Sequence, residues 1–148
     1  MTDVETYIQS GNLVLSAAGK PEAIEAEIEG LIERRFRLSI PVIVRRASAW
    51  PAYIRSNPFV EESRTEANRV MLALSKRAPL PGAVEGLQER ATNGERVKQA
   101  GDALWIHFPN GSGTSKLSPS VLDRLAGSPV TVRNFRTVLK LGEMTEET

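Results

Sequence analysis

Several features that support common classes of protein chemistry are missing from this chain of 148 residues. It contains no cysteine, which excludes disulfide bonds, thiolate nucleophiles, iron–sulfur clusters and zinc sites built on cysteine. Its one histidine, His107, leaves little material for a Ser-His-Asp triad or a transition-metal site. We therefore expect no metal site and no bound cofactor.

Long apolar segments are missing too. The longest apolar runs are a handful of residues, far below the ~20 that a membrane-spanning helix needs. The first five residues are polar and acidic, which is not how a secretory signal begins. With 41% hydrophobic and 25% charged residues, the composition is that of a globular protein. We expect a soluble, cytoplasmic α+β protein that does not contact membranes.

Charge is distributed unevenly, although the formal net charge is only +1. Residues 67–142 hold 11 basic and 5 acidic side chains, whereas residues 1–66 hold 8 basic and 10 acidic ones. A basic second half can attract a phosphate-bearing small molecule or nucleic acid. Dedicated nucleic-acid domains carry a stronger bias, and aromatic residues for base stacking make up only 5% of the chain. A solvated basic surface explains the same excess.

The first half of the chain is predicted to form a hairpin, a helix, a strand and a short helix. Strand-forming residues flank turn residues 9–12, which predicts a hairpin over residues 4–15. Apolar residues at helical spacing predict a helix over residues 21–36. The run Ile-Pro-Val-Ile-Val-Arg at residues 40–45 predicts a short buried strand, and a brief helix follows near residues 48–57.

The second half follows a polar segment, residues 61–68, which we interpret as a linker. Its predicted order is strand, helix, two strands, helix, strand and a terminal helix, which is the ferredoxin-like order. The strands are predicted at 70–74, 96–99, 103–109 and 130–132, and the helices around Val84 and Leu87, from Ser118 to Gly127, and from Asn134 onward. The sequence thus predicts two ferredoxin-like units in tandem, residues 1–60 and residues 69–148.

The first of these units lacks the leading strand and helix of the ferredoxin-like order. That strand is central in such a sheet, so its absence leaves unpaired strand edges. We expect residues 1–60 either to associate with a second copy into a homodimer, or to close the gap by pairing residues 40–45 directly with the hairpin. A segment upstream of these residues in the native protein is the alternative interpretation.

The loop over residues 110–116, Asn-Gly-Ser-Gly-Thr-Ser-Lys, is the strongest candidate ligand site. It follows a predicted strand and precedes a helix, an arrangement in which backbone N–H groups can face an anion. It is not a Walker loop, because the residue after its lysine is leucine. A polar loop in front of a capped helix explains the same pattern. The candidate ligand-binding residues are Gly111, Gly113, Thr114, Ser115 and Lys116.

A second candidate is the basic start of the last predicted helix, at Arg133, Asn134 and Arg136. We expect these residues to face the loop across a shallow pocket and to hold phosphate. A helix cap at Asn134 and a solvated basic face are the alternative interpretation. The lone His107, beside Trp105 on a predicted strand, is interpreted as a packing or surface residue.

Four stretches in this sequence occur in the same order in the bacterial domain-of-unknown-function family 1697 (DUF1697), which the chain resembles. The resemblance implies two ferredoxin-like units and no established activity. Members of that family usually begin with a strand, a glycine-containing loop and a helix, and this sequence starts after them. The stretches are Thr6–Asn12, Ser56–Phe59, Phe108–Leu117 and Arg133–Leu141.

The resemblance implies a protein of unknown function, and the motifs favour a binding module for a phosphate-bearing small molecule. A nucleic-acid-binding protein that uses the basic second half is an alternative. An enzyme acting on a phosphorylated or nucleotide substrate is another, but no general base can be named, so its catalytic residues are unknown.

Overall fold

The chain is an α+β protein with two separate sheets. The computed structural model describes residues 2–7 and 11–146, with the backbone alone at positions 3, 6 and 7. The strands are β1 (Thr2–Tyr7), β2 (Asn12–Ser16), β3 (Val70–Ser75), β4 (Arg96–Ala100), β5 (Ala103–His107) and β6 (Val130–Asn134). The helices are α1 (Pro21–Phe36), α2 (Trp50–Arg55), α3 (Val60–Thr65), α4 (Ala83–Arg90), α5 (Pro119–Ala126) and α6 (Phe135–Glu146). None of the described helices is long and apolar enough to cross a membrane.

Two compact units make up the chain. One contains Met1–Pro51 and Leu139–Thr148, and the other contains Ala52–Val138. Helix α3 occupies much of the segment that we interpreted as a linker. The predicted domains, residues 1–60 and 69–148, are segments expected to fold independently. Compact units are defined by contacts and do not test independent folding, so these domain bounds stay a prediction.

The second unit is built on a four-stranded sheet in the order β4-β5-β3-β6, in which every neighbouring pair is antiparallel. Its elements follow the predicted order of strand, helix, two strands, helix and strand. Alternate strand residues face helices α4 and α5, as the period of two along a strand requires. We call this the helix-covered face. Its core contains Ala73, Leu87, Val97, Leu104, Ile106, Phe108, Leu117 and Leu122.

The other side of this sheet, which we call the aromatic face, carries Trp105 and His107 from β5. Trp105 is completely buried, and its ring centroid lies 6.0 Å from that of Phe135. The ring of Phe59 lies 5.9 Å from that of His107. The second unit therefore buries both faces of its central strands, which agrees with the burial of every residue of β5.

The first unit contains the two-stranded hairpin β1–β2 and helix α1, which spans the predicted residues 21–36. Turn residues 9 and 10 lie outside the described residues. The predicted strand over residues 40–45 is wrong, because that segment belongs to no sheet. Residues 40–45 therefore do not pair directly with the described residues of the hairpin, which was one of our expectations for the first unit.

Carboxylates from helix α1 explain why residues 40–45 do not form a strand. The N–H of Val42 donates to Oε2 of Glu29 at 2.9 Å, and the N–H of Val44 donates to Oε2 of Glu25 at 2.8 Å. These glutamates are four residues apart and share one side of α1, while the two valines are two apart along an extended chain. Side-chain oxygens thus take the place of a neighbouring strand.

Replacing Glu25 with alanine should destabilise the fold by about 1.5–3 kcal/mol, because the charged acceptor of a partly buried hydrogen bond is lost. Glu25 is only 5% exposed, so water replaces the carboxylate poorly. Denaturant unfolding measures the effect. The matched control is Glu27→Ala in the same helix, where the side chain is exposed. Equal destabilisation by both variants would contradict this account of residues 40–45.

Candidate functional site

The candidate loop over residues 110–116 leads from β5 to α5. It begins with a turn in which Gly111, at φ 81°, donates its N–H to the carbonyl of Phe108 at 3.0 Å. Ser112, Gly113, Thr114 and Lys116 are exposed, whereas Gly111 and Ser115 are partly buried. Gly111, Gly113, Thr114 and Lys116 are therefore accessible to a ligand at least in part.

Ser115 is turned inward onto a buried carboxylate. Its hydroxyl donates to Glu95, and its oxygen accepts the N–H of Leu117 at 3.1 Å. Glu95 is 3% exposed and also accepts the N–H of Asn93 at 2.7 Å. This hydroxyl is already engaged, and the negative charge of Glu95 opposes a second anion beside it.

The electrostatics of Glu95 follow from two opposing effects. Burial raises the pKa of this carboxyl, but hydrogen bonds from the Ser115 hydroxyl and from the backbone at Glu95 and Asn93 outweigh burial and lower the pKa below its usual value. Glu95 is therefore a buried carboxylate that joins the loop to the turn at residues 93–95. The sequence gives no signal for it, since the two partners lie 20 residues apart.

The second candidate cluster lies at the junction of β6 and α6. Nη1 of Arg133 donates to Oγ1 of Thr131 at 2.6 Å and to the carbonyl of Val132 at 2.9 Å. Burial lowers the pKa of the half-buried Arg133 guanidinium. Oδ1 of Asn134 accepts the N–H of Thr137 at 2.9 Å, which is the cap expected of an asparagine, and Arg136 is exposed.

Arg133 lies on the aromatic face, because it is opposite Leu72, which in turn is opposite Trp105. The loop leads through Leu117 into the core of the helix-covered face. The shallow pocket predicted between the two clusters, and phosphate binding by either of them, stay predictions.

His107 is a packing residue, as predicted. It is 6% exposed, stacks against Phe59, and places Nε2 3.4 Å from Oε2 of Glu66. Nε2 of His107 and Nε1 of Trp105 are buried without a hydrogen-bond partner among the described residues. No three His, Asp or Glu side chains among residues 2–7 and 11–146 are grouped to hold a metal ion.

Helix and strand side chains cover the outer edges of the four-stranded sheet, a feature that sequence reasoning missed. On β4, the amide of Gln88 accepts the N–H of Val97 at 2.9 Å and donates to the carbonyl of Glu95 at 2.8 Å. On β6, Oδ1 of Asp123 accepts the N–H of Val130 at 2.9 Å, and Nη1 of Arg133 donates to the carbonyl of Val132. Both edges therefore carry side-chain partners.

The hairpin of the first unit differs, because β1 and β2 pair only with each other in the described part of the chain. Val4 is 53% exposed and Leu13 is 48% exposed. Seven of the nine large hydrophobic side chains that are exposed among the described residues belong to this unit. A two-stranded hairpin with exposed apolar side chains is a candidate interface among the described residues.

The charge of Glu95 should make the stability of the chain fall in acid. Because the folded-state pKa is lowered, the carboxylate stabilises the fold above the usual glutamate pKa of about 4.3, and this contribution is lost as the pH falls below that value. Glu95→Gln should flatten this dependence in denaturant unfolding between neutral and acidic pH. Glu89→Gln, at an exposed position of α4, is the control. An unchanged acid dependence in the Glu95 variant would contradict the assignment.

Phosphate binding by the exposed loop residues is testable by thermal shift with inorganic phosphate and nucleotides. Binding to the folded state raises the melting temperature. Lys116→Ala should then weaken affinity about tenfold or more, because one charged contact is lost. Lys20→Ala, at another exposed lysine, should leave affinity unchanged. Equal affinity in both variants would remove Lys116 from the site.

Comparison with known proteins places the chain in a family. No match is found among curated proteins or among solved structures. A family model described as a protein of unknown function matches residues 1–105, well over half of the chain. The stretches at residues 6–12 and 56–59 lie within that match, whereas those at 108–117 and 133–141 lie beyond it. The chain thus belongs to DUF1697, a family whose function is unknown.

Proposed function

We propose that this protein is a self-associating binding module in which the outer edge of β2 pairs with β2 of a second copy. The observation that carries the proposal is the two-stranded hairpin β1–β2 with exposed Val4 and Leu13. A hairpin of two strands is marginally stable in water, and further strands are needed for a stable sheet. A second copy supplies those strands.

The sequences of the two strands favour β2 over β1 as the pairing edge. β2, Asn-Leu-Val-Leu-Ser, has no charged residue, whereas β1 carries Glu5. Two β1 edges would bring like charges together, which is unfavourable between neighbouring strands. An uncharged edge has no such penalty.

The order of residues in β2 also suits a twofold contact. In an antiparallel pair centred on Val14, that residue lies opposite its own copy and Leu13 lies opposite Leu15 of the partner subunit. A twofold interface must be self-complementary in this way, with each residue meeting its counterpart. The contact would place Leu13, which is 48% exposed in one copy, against an apolar side chain.

The element order and strand order of the second unit support a finer description of its fold. Strand, helix, two strands, helix and strand, with the last strand beside the first, is the arrangement of a ferredoxin-like unit. We infer that fold for the second unit only. The first unit has one hairpin and one long helix, and the strand predicted at 40–45 is not formed. A cytoplasmic location stays a prediction.

A single introduced cysteine tests the proposed pairing directly, since the natural chain has none. Val14→Cys should form an intermolecular disulfide under mild oxidation, because directly opposed strand residues lie within the Cα separation that a disulfide spans. Val4→Cys is the control in the other strand of the hairpin. Cross-linking of the Val4 variant alone, or of neither, would contradict pairing through β2.

Charge introduced at Leu13 should break the association. Leu13→Lys places a lysine against Leu15 of the partner, and light scattering after size-exclusion chromatography should show a shift from dimer to monomer. Val4→Lys makes the same change at an equally exposed position of β1 and should leave the dimer intact. A wild-type chain that stays monomeric at high micromolar concentration would sink the proposal.

A further inference from the structure

Gln88 makes two hydrogen bonds to one strand edge. Its Oε1 accepts the N–H of Val97 at 2.9 Å, and its Nε2 donates to the carbonyl of Glu95 at 2.8 Å. Along β4, Arg96 is registered with His107 of β5, Val97 with Ile106 and Lys98 with Trp105. β4 is the outermost strand on this side of the sheet, so the groups that Gln88 bonds are the ones that face outward.

We propose that Gln88 is an edge cap that keeps a second copy from adding a strand to β4. A carboxamide offers one acceptor and one donor, as a peptide group does. The carboxamide of Gln88 bonds the N–H of Val97 and the carbonyl of Glu95, with which an incoming strand would otherwise pair. Gln88 is exposed at the end of α4, so its side chain does not pack in the core. Its two hydrogen bonds to the β4 edge are therefore the contacts that make it a cap.

A second barrier on the same edge is positive charge. Arg96 and Lys98 are both exposed on β4. If two β4 strands paired antiparallel around Val97, Arg96 would lie opposite Lys98 of the partner subunit. Glu62 forms an ion pair with Arg96, which offsets this repulsion only in part, and Nζ of Lys98 lies 5.5 Å from the centroid of the Phe59 ring. Salt screens this repulsion, whereas it leaves the cap by Gln88 in place.

Amide hydrogen exchange tests the cap at its own atoms. Gln88→Ala should speed the exchange of the Val97 amide by about fivefold or more, the effect of losing one net hydrogen bond. Glu89→Ala truncates the next exposed side chain of α4 to the same length and should leave the exchange of the Val97 amide unchanged. Unchanged exchange at Val97 in the Gln88 variant would overturn the proposal.

Sedimentation at low and high salt tests the consequence. The variants are made in the Leu13→Lys chain, so that any association through β2 is removed and the outcome does not depend on it. Gln88→Ala should associate measurably at high salt and less at low salt, because screening weakens the Arg96–Lys98 repulsion. Glu89→Ala should stay monomeric at both. A Gln88 variant that is also monomeric at both would overturn the proposal.

Discussion

Backbone N–H and carbonyl groups that no neighbouring strand pairs need other partners, and in this protein helix side chains supply several of them. Glu25 and Glu29 bond the N–H groups of Val44 and Val42, and the amide of Gln88 bonds the edge of β4. Asp123 does the same for the first residue of β6. An unpaired edge is a template for another chain, so these contacts limit which surfaces can associate.

The hairpin β1–β2 differs from the four-stranded sheet, because it lies in the unit that carries most of the exposed large apolar side chains among the described residues. The second unit buries both faces of its central strands and covers parts of its outer edges. The first unit instead exposes Val4, Leu13, Leu31, Phe36, Leu38 and Ile40. This difference in exposure between the two units is the physical basis for proposing the hairpin as an interface.

The sequence predicts best where period and capping agree. The strand at residues 103–107 and the helix between Ser118 and Gly127 form where the sequence predicts them, because each depends on local chemistry. The segment 40–45 has strand composition but no strand partner, so its pattern alone misleads. Glu95 with Ser115 and Gln88 with Val97 are absent from the predictions, because such contacts depend on which elements the fold places side by side.

Several arginines of the basic second half donate hydrogen bonds to backbone carbonyls. Arg69 donates to the carbonyl of Pro109 at 2.5 Å, Arg77 to that of Gly127 at 3.1 Å, and Arg133 to that of Val132 at 2.9 Å. Guanidinium groups suit this work because they carry several donors and hold them in a fixed plane. Part of the excess of arginine that suggested phosphate or nucleic acid thus serves to satisfy backbone carbonyls. A count of charges along a sequence cannot separate these two uses, since only the fold decides which carbonyls lack a partner.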